Sequence, residues 1–239
     1  MIKDIQTMIW KENKAIFRRK VSRSNLMRII SAPALLAFVF PITWGPDWVE
    51  DFPALIIAFI APALLVGVMI PDSFAGERER HTLGTLLASR LSDQAILLGK
   101  IIPPVLIGWG TGLIFPLLSL VIVNLAHGDG GVLFYNSKIT FGILALSFLS
   151  STVMAAGGVL TSLRSETVQD STQKLMAFIM VPAVLLQVVP LLFREQVAAI
   201  IGGMDGQQYL IIAVLVLAMM DVALYVFAFA CFQRSKAMS

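Results

Sequence analysis

Six long apolar stretches alternate with short polar segments, and Asp221 is the only charged residue in the middle of a stretch. Each stretch is long enough to cross about 30 Å of hydrocarbon as a helix, which takes about 20 residues. Backbone in lipid is satisfied only in helices or closed barrels, and barrel strands alternate polar and apolar residues over about ten positions. The continuous runs therefore predict an all-α membrane protein with six transmembrane helices. The predicted spans are 26–46, 52–71, 98–124, 139–163, 175–193 and 209–232, within a single transmembrane domain covering 1–239.

Residues 1–24 show a different pattern, that of an amphipathic helix. The apolar face carries Ile2, Ile5, Ile9 and Ile16, and the opposite face carries Lys3, Lys11, Lys14 and Arg18. Such a helix lies in the plane of the membrane interface, with its basic face toward anionic headgroups. A plain positively charged anchor is the alternative, because Glu12 and Arg19 interrupt the apolar face.

A polar segment, SFAGERERHTLGTLLASRLSDQAILLGK, separates the second and third spans at residues 73–100. Asp72 or Ser73 can cap a helix here, and Ser92 with Asp93 can start the third span. One face of the helix carries Leu83, Leu86 and Leu87, and the other carries Glu77, His81, Thr85 and Ser89. The pattern predicts an ordered amphipathic helix with its leucines toward the bundle and its charges toward a partner. A solvated loop that merely ends two spans is the alternative.

Composition and charge placement support a membrane protein with a defined orientation. Only 14% of the residues are charged, against about 25% in soluble domains, so a soluble helical core is disfavoured. Sixteen of the 18 basic residues lie on one side of the predicted topology, and Lys138 and Arg194 lie on the other. The positive-inside rule therefore places both termini and the polar segment in the cytoplasm. The loops on the other side are too short for a receptor or catalytic domain, and no cleavable signal peptide is predicted.

Motifs for catalysis or metal binding are missing from the sequence. The single cysteine, Cys231, excludes an internal disulfide and a zinc site with several cysteines, and two histidines disfavour a histidine-rich site, so no metal site is predicted. Gly99–Lys100 lacks the glycine that a phosphate-binding loop requires five positions earlier, where Gln94 stands. Neither a His-Glu-x-x-His nor a Gly-x-Ser-x-Gly motif occurs. The chain is therefore predicted not to be an enzyme, and an intramembrane enzyme ranks last among the functions considered.

The polar segment resembles the region after the second span in type-2 permeases of ATP-binding-cassette exporters. Their pattern is roughly Glu-x-Glu-x-x-Thr-Leu-x-x-Leu-Leu, followed by Gly-Lys at the third span. The matching residues here are Glu77, Glu79, Thr82, Leu83, Leu86, Leu87, Gly99 and Lys100. The stretch WKENKAIFRRK, residues 10–20, is similar to the interfacial helix of that family, and LRSETVQDSTQK is similar to its junction of spans four and five. Arg90 departs from the pattern, because proline often stands at this place.

The resemblance implies a half-transporter in the plasma (inner) membrane, in which two six-span permease subunits, identical or homologous, pair in lipid. Each would rest on a cytoplasmic ATPase subunit that binds ATP–Mg, with no cofactor bound by this chain and no nucleic acid as partner. The polar segment would be a coupling helix set into the ATPase, flanked by the N-terminal helix, and residues 194–208 would form a re-entrant element. The implied coupling residues are Glu77, Arg78, Glu79, Arg80, Thr82, Thr85, Leu86 and Leu87, and the implied interfacial residues are Trp10, Lys11 and Glu12.

Two polar residues inside predicted spans are candidates for the translocation path. Asp221 lies at the centre of the sixth span, where a charged carboxylate costs about 2.5 to 3.5 kcal/mol on insertion scales. Asp221 either forms a buried hydrogen bond or belongs to a proton or cation site. If it is such a site, the alternative function is an ion-coupled secondary transporter or channel. Gln187 lies in the middle of the fifth span and either lines the path or forms an interhelical hydrogen bond.

Overall fold

The computed structural model describes residues 2–18, 23–128, 131–179, 203 and 205–232, and within these ranges the chain forms helices and no strand. This confirms the predicted all-α class. The helices are α1 (Ile2–Arg18), α2 (Arg23–Trp44), α3 (Asp47–Glu50), α4 (Pro53–Met69), α5 (Ala75–Glu79), α6 (Leu83–Leu87), α7 (Asp93–His127), α8 (Ser137–Leu163), α9 (168–179) and α10 (Gly206–Cys231). A 3-10 turn, Ile70–Asp72, joins α4 to α5.

Four helical segments of the described chain are long and apolar enough to cross a membrane. They are Pro53–Glu79, Asp93–His127, Ser137–Leu163 and Gly206–Cys231. These correspond to the second, third, fourth and sixth predicted spans. Helix α2 overlaps the first predicted span over most of its length. The fifth predicted span falls mostly outside the described residues, so the count of six stays a prediction.

Helix α7 lies at the centre of the described bundle and packs against α1, α2, α4 and α8. Two glycines of α7 allow it to approach α8 closely. A Cβ atom at Gly112 would lie 2.5 Å from the Cβ of Ser147 in α8, and one at Gly108 would lie 3.1 Å from the hydroxyl oxygen of Ser151. Small residues of this kind bring helix backbones together in lipid, where burial of apolar surface supplies no driving force between helices.

The buried side chains form two clusters, one toward each end of the bundle. The cluster next to α1 includes Met8, Ile70, Phe74 and Ile96, together with the leucines of α6. The cluster at the opposite end is centred on α3 and the neighbouring ends of α4, α7 and α8, and it includes Trp48. The turn from α2 into α3 is made by Gly45, whose φ of +59° lies in the left-handed region that favours glycine.

The polar segment between α4 and α7 is ordered, but it is not the continuous amphipathic helix that the sequence predicts. It forms two five-residue helices, α5 and α6, separated by a reversal at His81, which has a φ of +56°. The amide of Thr82 donates to the carbonyl of Glu77 at 2.9 Å, and the amide of His81 donates to the carbonyl of Arg78 at 3.0 Å. These two bonds form a Schellman motif, which terminates α5 and changes the direction of the chain.

Candidate functional site

A buried lysine at the start of α7 joins three parts of the chain. The side chain of Lys100 is only 1% exposed. Its ammonium nitrogen lies 2.6 Å from the carbonyl oxygen of Ser73, 3.1 Å from Oε1 of Glu12 and 3.5 Å from Oε1 of Glu77. An ammonium has three donors, so these acceptors can satisfy it, and burial without them would be strongly unfavourable. Lys100 thereby ties α1 and the polar segment to α7.

Glu77 is the second centre of this arrangement. It is 8% exposed, and its Oε1 also lies 3.4 Å from the ammonium of Lys11. The hydroxyl of Thr82 donates to Oε2 of the same carboxylate. Two carboxylates therefore balance two ammonium groups, and we call Lys11, Glu12, Glu77 and Lys100 the charged junction. The prediction that Glu77 faces outward is wrong, because one helical wheel does not continue through the reversal at His81.

Two amides at the amino terminus of α5 bind a residue of α8, and the N-cap position is Phe74 and not the predicted Asp72 or Ser73. The hydroxyl oxygen of Ser162 accepts from the amide of Phe74 at 3.0 Å and from that of Ala75 at 2.8 Å. The same hydroxyl donates to the carbonyl of Pro71 at 2.8 Å. One buried side chain thus satisfies two amides that have no partner within α5. This bond set fixes the polar segment to α8.

The predicted start of α7 is confirmed. Ser92 is the N-cap, and its side chain accepts from the amide of Ala95 at 3.2 Å, while Asp93 lies in the first turn. The cap satisfies an amide, and the carboxylate interacts favourably with the positive end of the helix dipole. This cap sets the position of α7 and therefore of Lys100, two turns further along.

The remaining charged residues of α5 also bind within the chain. The guanidinium of Arg78 donates to the carbonyls of Leu163, at 3.2 Å, and Ser165, which closes the carboxyl end of α8. Oε1 of Glu79 accepts from the amide of Val168 at 3.1 Å, at the start of α9. An acidic group at a helix amino terminus is favourable. Each of these two neighbouring side chains thus connects the polar segment to a different helix.

Arg80 forms a two-point contact with Asp72, with both N–O distances at 3.2 Å. Burial on its own lowers the pKa of Arg80, but the hydrogen bond and the charge of Asp72 hold that pKa above its usual value. Arg80 and Glu79 are exposed, whereas a continuous helix would place them near the apolar edge. The ion pair at the surface orients the reversal between α5 and α6.

The leucines of α6 are buried as predicted, and this leaves a surface of small and polar residues. Leu83, Leu86 and Leu87 pack into the core cluster next to α1. The exposed residues beside them are His81, Thr82, Gly84, Thr85, Ala88 and Arg90. A groove of about 350 Å³ runs between this surface and α1, and Thr7, Lys11 and Thr85 line it among others. We call this exposed side of the polar segment the α6 face.

Helix α1 is held to α7 by packing as well as by charge. Met8 is buried against Gly99, where a Cβ atom would lie 2.5 Å from the Cβ of Met8. Glu12, which interrupts the apolar face in the sequence, is the partner of Lys100. Trp10 is 63% exposed, and the ammonium of Lys14 lies 4.4 Å from the centre of its ring. The interfacial position of α1 in a membrane stays a prediction.

The two path candidates lie apart from the charged junction. Asp221 is half-buried on α10, beside the hydroxyl of Thr152 on α8. Its Oδ1 is buried without a hydrogen-bond partner in the described part of the chain. Gln187 lies outside the described residues. Within those residues no group of three or more histidine, cysteine, aspartate or glutamate side chains is placed to hold a metal ion.

Neither Lys100 nor Ser162 stands out as a site residue in the sequence. A lysine directly before an apolar run has the pattern of an ordinary basic flank, and a serine near the end of a span is common. The available signal for Lys100 was its place in the Gly-Lys pattern at the start of the third span. Its partners are up to 88 positions away, so no local pattern identifies them.

Residues 3–189 match the family described as ABC-2 type transporter. The chain is also 29% identical over 135 residues to the "Probable multidrug ABC transporter permease YbhR" of Escherichia coli (strain K12), and equally to that of Escherichia coli O157:H7. The alignment covers 54% of this chain and 34% of each relative. The chain thus matches about a third of the length of these curated relatives.

Proposed function

Because the chain belongs to the ABC-2 type transporter family, we propose that it is the transmembrane permease subunit of an ATP-driven exporter. In this proposal it forms the translocation path as a dimer with an identical or homologous permease. A separate cytoplasmic ATPase subunit binds ATP and magnesium and hydrolyses ATP. The chain would lie in the inner membrane, and the excess of lysine and arginine on one side of the predicted topology supports cytoplasmic termini.

The observation that carries the proposal is the set of bonds by which the polar segment holds four helices. Lys100 joins it to α1 and α7, Ser162 and Arg78 join it to α8, and Glu79 joins it to α9. A surface loop that only connects two spans needs none of these bonds. A segment held in this way passes a displacement of its exposed side to the bundle, since packed elements move as rigid bodies.

The α6 face is the surface that we assign to the ATPase. It is exposed, it lies on the cytoplasmic side in the proposed topology, and the groove beside it is bounded by α1. Closure of the ATPase pair would push on α6, and Lys100 would carry this movement to α7. Lys11 on α1 lines the same groove, which fits the flanking role proposed for the N-terminal helix.

The test is co-purification of the full chain with candidate ATP-binding-cassette ATPase subunits, using an arginine on the α6 face. We expect Thr85→Arg to abolish the complex and the ATPase stimulation that depends on it, because the larger charged side chain blocks the face. Ser137→Arg is the matched control, since Ser137 is also exposed and is the first residue of α8, at the opposite end of the bundle. Failure of every ATPase to bind the unmodified chain, or full binding by Thr85→Arg, would overturn the proposal.

The alternative, an ion-coupled secondary transporter or channel, depends on Asp221. The contact with Thr152 favours a hydrogen-bonding role, whereas the unpartnered Oδ1 atom favours an ion or proton site. The substitution Asp221→Asn distinguishes these two roles, because asparagine keeps the shape and the hydrogen-bonding capacity of the side chain and removes its titratable charge.

A further inference from the structure

The connection between α7 and α8 includes a non-helical strap, residues 131–136, that is bound to the side of α7. The amide of Leu133 donates to Oδ1 of Asn124 at 2.7 Å, and Nδ2 of Asn124 donates to the carbonyl of Leu133 at 3.0 Å. The hydroxyl of Tyr135 donates to the carbonyl of Pro116 at 2.9 Å. These bonds hold the strap along the last turns of α7.

The strap alternates between the core and the surface. Leu133 and Tyr135 pack against the core cluster at this end of the bundle. Val132 and Phe134 point away from it, and both are 72% exposed. Because the inward pair is anchored by hydrogen bonds, the outward direction of the other two side chains is fixed by the structure.

The depth of the strap follows from the geometry of α7. Asn124 lies 24 positions after Lys100 (124 minus 100), which is about 36 Å along a helix that rises about 1.5 Å per residue. If Lys100 marks the edge of about 30 Å of hydrocarbon, Asn124 and the strap lie about 6 Å beyond the other edge. This is the headgroup region, since the bilayer with its interfaces is about 40–45 Å thick.

The neighbouring residues have the character of a membrane interface. Trp44, 45% exposed, precedes Gly45, which packs against the His127 ring at the end of α7. Tryptophan and tyrosine concentrate at this level of membranes. Residues 131–137 carry no charged side chain, and the next residue, Lys138, is exposed where it can meet lipid phosphate. Asn124 satisfies both backbone groups of Leu133, which non-helical backbone at a membrane boundary requires.

We propose that Val132 and Phe134 insert into the boundary between headgroups and acyl chains, in the leaflet opposite α1, so that the strap anchors α7 and α8 to lipid. Membrane lipid is the partner, and not a second protein. Two side chains on a narrow strap offer far less than the roughly 1,000 Å² that a specific protein interface needs. The inference rests on the chain spanning a membrane and not on the ATPase partner.

The test measures collision rates of spin labels on the full chain in phosphatidylethanolamine–phosphatidylglycerol vesicles. The native cysteine is removed as Cys231→Ala, and a label is placed by Val132→Cys or Phe134→Cys. Leu106→Cys, on an exposed position of α7 about 9 Å past Lys100 along the helix, and Arg90→Cys, on the α6 face, are the lipid and water references.

We expect both strap labels to collide more often with oxygen, which dissolves in lipid, than with a water-soluble nickel chelate. For each strap label, the ratio of the oxygen collision rate to the nickel collision rate should lie between the ratios of the two reference labels. A higher rate with nickel would mean that the strap is in water, and low rates with both probes would mean that protein covers it. Either result overturns the proposal. Asn124→Ala should increase the mobility of the Val132 label, and an unchanged spectrum would contradict the anchoring role of Asn124.

Discussion

Replacing Lys100 with methionine removes the ammonium of the charged junction while keeping most of the aliphatic volume. The carboxylates of Glu12 and Glu77, with side chains 16% and 11% exposed, then lose the cation that they share. Removal of one partner from a buried ion pair costs about 3–5 kcal/mol, because the other charge stays buried. Lys11 and Thr82 still contact Glu77, so we expect a loss at the lower end, about 3 kcal/mol.

A double-mutant cycle with Glu77→Gln distinguishes a coupled pair from two separate effects. Glu77→Gln leaves Lys100 with Glu12 and the carbonyl of Ser73, so its cost should be smaller, about 1–3 kcal/mol. The double variant no longer buries the Glu77 charge without its cation. The loss of unfolding free energy in the double variant should therefore be smaller than the sum of the losses in the two single variants, by at least about 1 kcal/mol.

The assay is unfolding of the purified chain in detergent, with Lys174→Met as the matched control. Lys174 contacts Asp170 at 2.6 Å and also donates to the carbonyl of Arg164 at 3.1 Å and the hydroxyl of Ser165 at 3.3 Å, but the side chains of Lys174 and Asp170 are at least 40% exposed. The hydrogen bond from Lys174 holds the pKa of Asp170 below its usual range, yet water screens this pair, so its loss should change stability little. If Lys100→Met is no more destabilising than Lys174→Met, or if the cycle shows no coupling, the charged junction does not hold these helices together.

Three further predictions test separate contacts. Gly99→Val should displace α1 and lower the melting temperature. Gly84→Val, where a Cβ atom meets nothing within 4 Å, should lower the melting temperature much less. Equal shifts in melting temperature would contradict the close packing of α1. Ser162→Ala should destabilise by about 1–2 kcal/mol in the same unfolding assay, as loss of a helix cap does, and no change would mean that water replaces the hydroxyl. Asp221→Asn should leave ATP-driven transport in vesicles intact if the carboxyl only forms a hydrogen bond, and a loss of transport with normal stability would support the ion-site alternative.

The spans were largely predictable because the signal is local. A run of about 20 apolar residues needs no knowledge of its neighbours to be identified as a membrane helix. The second, third, fourth and sixth predicted spans coincide with the four long apolar helices. The cap at Ser92 was predictable for the same reason, since its bond partner, Ala95, is three residues away.

The internal geometry of the polar segment was not predictable, because a residue other than glycine ends α5. Helices that end in a Schellman motif usually carry glycine at the left-handed position, and here His81 occupies it. Without that signal, the leucines of α6 and the charges of α5 fit a single wheel, which places Glu77 on the wrong side. The cap of α5 was hidden as well, since Ser162 is more than 80 positions away.

This arrangement changes how charge substitutions in the polar segment must be interpreted. Glu77, Arg78 and Glu79 each bind another part of the chain, so alanine at these positions removes a bond inside the permease. Lost ATPase stimulation in such a variant would not by itself indicate a contact with the ATPase. Thr85 and Ala88, which are exposed and uncharged, probe docking without disturbing that framework. Comparing the two groups therefore separates transmission within the chain from recognition of the ATPase that we propose as its partner.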